Sequence, residues 1–102
     1  MYQHMIPIVM ILGYKDKRTA TVATGKIPKG FPANLQRRTI AMLRVMDAAA
    51  ALDDLRSPPG NRLEKLAGNR KGQHSVRIND QFRICFIWTK QGPDEVEFTD
   101  YH

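Results

Sequence analysis

His74-Ser75-Val76-Arg77-Ile78-Asn79-Asp80-Gln81-Phe82-Arg83-Ile84-Cys85-Phe86-Ile87-Trp88 decides how this chain folds. Polar and apolar residues alternate through its first half, and a strand turns successive side chains to opposite faces. His74 to Asn79 therefore reads as a strand, with Val76 and Ile78 on one face and Ser75, Arg77 and Asn79 on the other. Asp80-Gln81 is the hairpin link, and Phe82 to Trp88 is the next strand. Working outward, Gln91-Gly92-Pro93-Asp94 reads as a turn and Glu95 to His102 as a further strand. Upstream, Arg62 to Leu66 is a short strand, followed by the loop Gly68-Asn69-Arg70-Lys71-Gly72. Consecutive strands with short connections make an antiparallel meander.

The first half supplies the helices. Val9 to Tyr14 is a β-prone run, placed as an edge strand or the first strand of the sheet. Asp16 to Thr24 predicts a short helix, with Asp16 near its N-terminus and Gly25 as the stop. Pro28, Gly30 and Pro32 mark a loop. From Asn34 the period changes: Leu35, Thr39, Met42, Leu43, Met46 and Ala50 recur at helical spacing, which predicts an amphipathic helix of about four to five turns. Its methionines read as core filling. Asp53-Asp54 reads as the fringe of that helix, and Ser57-Pro58-Pro59-Gly60-Asn61 as a rigid turn. Two helices cannot cover both faces of such a sheet. The expected fold is α+β, with two helices packed on one face of a small antiparallel β-sheet and the other face solvated and open to chemistry.

The chain has 102 residues, enough for one modest core. Its formal net charge of +6 is unevenly spread. Residues 56–90 carry eight basic and two acidic groups, whereas residues 91–102 carry four acidic groups and no Lys or Arg. A basic body suits a polyanionic partner, because neutralising phosphates releases condensed counterions. The lone Cys85 excludes an internal disulfide and reads as a small sheet residue in a reducing, cytoplasmic setting. Met5 to Leu12 is apolar but too short to span a bilayer, and it lacks the basic region of a signal peptide. No membrane is expected. His4, His74 and His102 lack metal-ligand spacing, and no Gly-rich loop precedes Lys-Ser or Lys-Thr, so no metal and no cofactor are expected.

Strand parity picks out candidate functional residues. With Val76, Ile78, Phe82, Ile84, Phe86, Val96 and Phe98 on the packed face, Arg77, Arg83 and Tyr101 share the opposite one, on three adjoining strands. Parity alone is equally met by arginines that merely form a solvated face. The same period puts Asp100 and His102 on the packed side, so the strand must twist, bulge or end near Thr99 for both to reach the site.

Leu63-Glu64-Lys65-Leu66-Ala67-Gly68-Asn69-Arg70-Lys71-Gly72-Gln73-His74-Ser75-Val76-Arg77-Ile78-Asn79, leading into Gln81-Phe82-Arg83-Ile84-Cys85-Phe86 and closing on Asp100-Tyr101-His102, resembles the HigB toxins of the RelE/ParE superfamily. Asp53-Asp54-Leu55-Arg56 with Pro58-Pro59-Gly60 resembles the plasmid-maintenance killer branch. The resemblance runs from about Met10, so residues 1–9 read as an N-terminal extension and residues 10–102 as the toxin domain. It implies a RelE-like fold and a toxin of a type II toxin–antitoxin system, a metal-independent endoribonuclease that cuts messenger RNA on the ribosome. Its partners would be the ribosome with its messenger RNA and a cognate HigA-like antitoxin. That antitoxin is a helix-turn-helix DNA-binding protein through which alone the toxin meets operator DNA. The family's functional arginine falls on Arg83, its basic residue on the preceding strand on Arg77, and its terminal element on Asp100, Tyr101 and His102. Lys65, Arg70, Lys71 and Asn79 are placed along the RNA. Ala67 departs from relatives that carry a functional lysine before the loop glycine, so either Lys65 or Lys71 takes over that role or the rate is lower.

These residue types suit RNA cleavage through the ribose 2′-hydroxyl. A histidine titrating near about 6.5 exchanges protons at neutral pH, and Asp100 can orient or assist it. Tyr101 can stack on a base or bond the phosphate, while Arg83 and Arg77 can hold the phosphate and its developing charge. Two other readings compete. One is a ParE-like toxin, not a ribonuclease, that acts on DNA gyrase. The other is a non-catalytic basic RNA- or ribosome-binding module.

Overall fold

The extended residue Asp16 accepts a hydrogen bond from the Thr19 N–H at 3.2 Å, and this cap starts helix α1, Lys17–Ala23. Gly25, at φ +96°, lets the chain leave the helix. The computed structural model describes residues 10–100; residues 1–9, Tyr101 and His102 lie outside the described residues. A tight turn, Ala33–Leu35, leads into helix α2, Gln36–Ala48. This helix buries Thr39, Met42, Leu43 and Met46, the stripe the spacing predicts. Ala50 is not part of that stripe. Ala49 turns extended after the helix and is itself buried, which leaves Ala50 exposed. Asp53 and Asp54 do not fringe α2 but open the separate turn Leu52–Arg56. There the Asp54 carboxylate accepts from the Ala50 and Ala51 N–H groups.

Four strands follow in meander order: β1 Glu64–Lys65, β2 His74–Arg77, β3 Arg83–Thr89 and β4 Gly92–Thr99, each antiparallel to its neighbour. The strand expected over residues 62–66 shrinks to two residues, because Arg62 is left-handed at φ +45°. Gly92, Pro93 and Asp94, expected in a turn, instead open β4 opposite Thr89, Trp88 and Ile87. Lys90 and Gln91 alone make the turn, closed by the Thr89 hydroxyl, which donates to Gly92 O and accepts from Gln91 N–H. Between Cys85↔Glu97 and Ile87↔Asp94, two steps on β3 face three on β4, and Glu95 takes φ +49°. This bulge lies well before Thr99, where β4 ends.

The run expected as a strand at Val9 to Tyr14 lies partly outside the described residues, and its described part forms only one bridge, Tyr14↔Val96, parallel. It nevertheless covers the outer edge of β4: Leu12 N–H donates to Pro93 O, Lys15 N–H to Val96 O, and Val96 N–H to Gly13 O. One step further, α1 takes over. Phe98 N–H donates to Thr19 Oγ1 at 3.0 Å, and Arg18 donates to Phe98 O at 2.8 Å. The edge is thereby satisfied along its length, which removes a template for unwanted strand pairing.

Val76, Ile78, Ile84, Phe86, Val96 and Phe98 join Val22, Met42, Leu43, Met46 and Leu55 in one buried cluster, with Phe82 packed against it. These are the positions that alternation assigns to the packed face. Ser75 and Cys85, of the opposite parity, are also fully buried. The second face is therefore not simply solvated: side chains and the 62–73 segment cover part of it, and that cover is the site.

Candidate active site

Register builds one row of residues across the whole sheet, Glu64↔Ser75↔Cys85↔Glu97, and beside it a second, Arg77↔Arg83↔Thr99. Arg83 leans from the second row across the first. Its Nε–H donates to Ser75 Oγ at 2.8 Å, and its Nη2 donates to the Arg62 carbonyl at 2.7 Å and lies 3.3 Å from Glu64 Oε1. The Arg83 side chain is only 14% exposed, so its guanidinium is held in place. Ser75 is an i, j±2 neighbour across the β2–β3 pair, and such diagonal contacts are reachable only by long side chains.

At the other end of the row, Glu97 gathers cations. Arg70 Nη1 lies 3.2 Å and Lys15 Nζ 3.8 Å from its Oε1, and Arg70 also donates to the Gln73 side chain. Cys85 sits between these groups. Burial pushes its thiol up to about 11, the dominant effect over the charges of Arg70, Glu97, Arg83 and Lys15 around it. It is protonated at neutral pH, as suits a packing residue.

Arg77 shares the face with Arg83 and is its Cα partner, but its guanidinium turns to the turn residue Asp80. That hydrogen bond holds the Asp80 carboxyl below its ordinary range. The structure thus brings Arg77 and Arg83 onto adjoining strands and gives each its own carboxylate. Asp100 follows Thr99, the Cα partner of Arg83, and accepts from Gln81 Nε2 at 3.1 Å. Tyr101 and His102 lie outside the described residues. Lys65 and Lys71 are exposed, flanking the turn Gly68–Arg70. Asn79 serves its own hairpin: Oδ1 accepts the Gln81 and Phe82 N–H groups at 2.9 and 2.7 Å. Among the described residues, no group of three or more His, Cys, Asp or Glu is placed to hold a metal ion. No described helix is long and apolar enough to cross a membrane.

Residues 15–102 match the model of a family described as the RelE-like toxin of the type II toxin–antitoxin system HigB. The chain belongs to this HigB-like toxin family. It is 41% identical over 80 residues to Toxin HigB-1 of Vibrio cholerae serotype O1, covering 78% of this chain and 84% of that protein. It is also 36% identical over 56 residues to an uncharacterized protein of Haemophilus influenzae, 55% of each chain. The two helices and four-stranded antiparallel sheet described above are compatible with the RelE-like fold of this family. The chain is accordingly a toxin of a type II toxin–antitoxin system.

Sequence reasoning missed Ser75, Glu64, Glu97 and Lys15. Two of them, Ser75 and Glu97, carried a usable signal. Ser75 shares the parity of Arg77, and Glu97 that of Thr99 and Tyr101, so both belong on the face assigned to the arginines. Glu64 joins them only through its register with Ser75, and Lys15 lies outside any strand.

Proposed function

We propose that this HigB-like toxin is a metal-independent endoribonuclease that cleaves messenger RNA on the ribosome, with Arg83 at the scissile phosphate. The observation that carries the reading is the pairing Arg83↔Thr99. The acidic-Tyr-His element Asp100-Tyr101-His102 begins one residue past the position opposite the fixed arginine. Arg83, with Arg77 on the next strand, supplies cationic donors for a phosphorane-like transition state. His102 exchanges protons, Asp100 assists it, and Tyr101 stacks on a base or bonds the phosphate. Lys65, Arg70 and Lys71 track the RNA backbone, and Asn79 shapes the hairpin beside it. In the finer architecture of the proposal, residues 10–102 form the toxin domain, with both helices packed on one face of the sheet and the arginines on the other. The toxin works in the cytoplasm. Its partner is a cognate helix-turn-helix antitoxin that carries any contact with operator DNA.

Single-turnover cleavage of a messenger RNA on programmed ribosomes, with ribosome affinity measured in parallel, tests this. Arg83→Ala slows cleavage by roughly 10²–10³-fold, the effect of losing a transition-state donor. His102→Ala slows it by roughly 10²–10⁴-fold. Ribosome affinity changes far less in both, because RNA contact is spread over many cations. Wild-type rates in both variants place the active site elsewhere. Proportional loss of affinity and cleavage makes these residues binding groups and removes the enzyme reading.

A further inference from the structure

Arg83 has three partners, and they differ in how easily they can leave. Ser75 is fully buried, and its Oγ accepts the Nε–H at 2.8 Å. The Arg62 carbonyl accepts from Nη2 at 2.7 Å and is fixed by the left-handed backbone of Arg62, whose own N–H donates to Pro59 O. The first is walled in by burial, and the second is main chain. Glu64 is different. Its side chain is 52% exposed, it stands on a two-residue edge strand, and its Oε1 lies 3.3 Å from Nη2. Nη1 donates no hydrogen bond among the described residues. The Nη1–Nη2 edge is therefore the side of the guanidinium at which a bidentate oxyanion can seat, and Glu64 contacts one of its two nitrogens.

We propose that Ser75 is a positioning residue for Arg83, and that Glu64 is an exchangeable internal anion which an RNA phosphodiester displaces from that arginine. The proposal rests on the ribonuclease reading for its substrate. A carboxylate and a phosphodiester each carry one negative charge, so the guanidinium keeps a single monoanionic partner through the exchange. While the site is empty, Glu64 keeps the guanidinium neutralised and aimed. When RNA arrives, the Glu64 contact is lost and works against binding, while Ser75 and the Arg62 carbonyl hold the remaining donors in register.

Kinetics on programmed ribosomes separates the two roles. Glu64→Gln removes the competing charge and lowers KM about two- to fivefold, the scale of a half-exposed ion pair, without lowering kcat. Ser75→Ala leaves KM nearly unchanged and lowers kcat about tenfold or more through a misaimed donor. Ser75→Thr, which keeps the hydroxyl, restores kcat. A second measurement needs no ribosome: side-chain NMR of the free protein, titrated with inorganic phosphate, with Arg83→Ala as the assignment control. The Arg83 Nε–Hε signal is exchange-protected in wild type and Glu64→Gln, and loses protection in Ser75→Ala. Phosphate shifts the Arg83 signals at lower concentration in Glu64→Gln than in wild type. A fall in kcat for Glu64→Gln, or phosphate affinity indifferent to that change, overturns the exchange. Wild-type kcat and intact Nε–Hε protection in Ser75→Ala overturn the positioning role. If Arg83→Ala itself cleaves normally while the phosphate titration behaves as stated, the ribonuclease site is wrong and the exchange at Arg83 stands.

Discussion

Two buried threonines allow one substitution to be read in opposite directions. Thr19 on α1 is fully buried, and its Oγ1 accepts the Phe98 N–H at 3.0 Å from a residue far along the chain. Thr39 on α2 is equally buried, but its Oγ1 has no hydrogen-bond partner among the described residues. Valine matches threonine in shape, so Thr→Val at either site leaves no cavity. At position 19 it strands a buried backbone N–H, whose desolvation costs about 1–3 kcal/mol. At position 39 it removes a buried hydroxyl that already lacks a partner, and the outcome is neutral or stabilising by up to about 1 kcal/mol. In a domain this small, each kcal/mol moves Tm by about 4–8 °C. Urea unfolding followed by far-UV circular dichroism, at equal slope, measures both. A cost below about 0.5 kcal/mol for Thr19→Val refutes the reasoning, and so does a larger loss for Thr39→Val than for Thr19→Val. The same comparison bears on function, because the Phe98 N–H bond ties down the end of β4 from which Asp100 emerges.

Cys85→Ala costs on the order of 1 kcal/mol and leaves cleavage largely intact, and the native thiol resists alkylation at pH 8 until urea exposes it. Because folding raises that thiol from its ordinary 9.0 to about 11, its contribution to stability is complete below pH 9 and is lost as pH rises from there to about 11. Urea unfolding across that window falls more steeply for wild type than for Cys85→Ala. His74 has its pKa lowered by burial first and then by Lys65 and Arg56, so below pH 6.5 the unfolded chain takes up a proton that the fold disfavours. Stability is thus lost as pH drops through that range, and His74→Phe, which can keep the stacking on Phe86, flattens the loss between pH 7.5 and 5.5. Lys65 and Lys71 are exposed and make no ion pair among the described residues. Each Lys→Ala change lowers the salt slope of ribosome binding by about 0.7–0.9 and leaves the single-turnover rate at saturation unchanged.

What was legible in the sequence was local. The Asp16 cap, the α2 stripe and the alternation through Val76, Ile78, Ile84 and Phe86 each depend on neighbours within a turn or a strand, and short-range sterics fix those periods. The reading of Val96 and Phe98 succeeded because it began at Glu95, inside the bulge, and so counted parity only beyond it. Pro93 was misplaced because proline usually ends strands. Here the Trp88 partner lies on one side, and on the other Pro93 needs only its carbonyl, which accepts from Leu12. The site was legible only in its cations. Arg77 and Arg83 announce themselves by parity, but where a guanidinium goes depends on tertiary register and on the left-handed Arg62, which no local pattern encodes.

Parity alone also hides why two arginines can face each other across β2 and β3. Like charges directly opposite in a sheet lie about 5 Å apart at Cβ and cost about 1–3 kcal/mol between a water-like and a surface-like dielectric. The fold relieves this by pulling the guanidinium groups apart, Arg77 to Asp80 in the hairpin and Arg83 to Glu64 at the sheet edge. The same logic repeats at the far end of the row, where Glu97 holds Arg70 and Lys15 over Cys85. A face built only of cations would disorder its own side chains when empty. A face whose cations each rest on a carboxylate stays ordered and can still accept a phosphate, provided one carboxylate is held loosely. Of Asp80, Glu97 and Glu64, only Glu64 combines half exposure, an edge strand two residues long and contact with the arginine opposite Thr99. With the exchangeable anion there, Ser75 and the Arg62 carbonyl hold Arg83 in one pose both before the substrate binds and after.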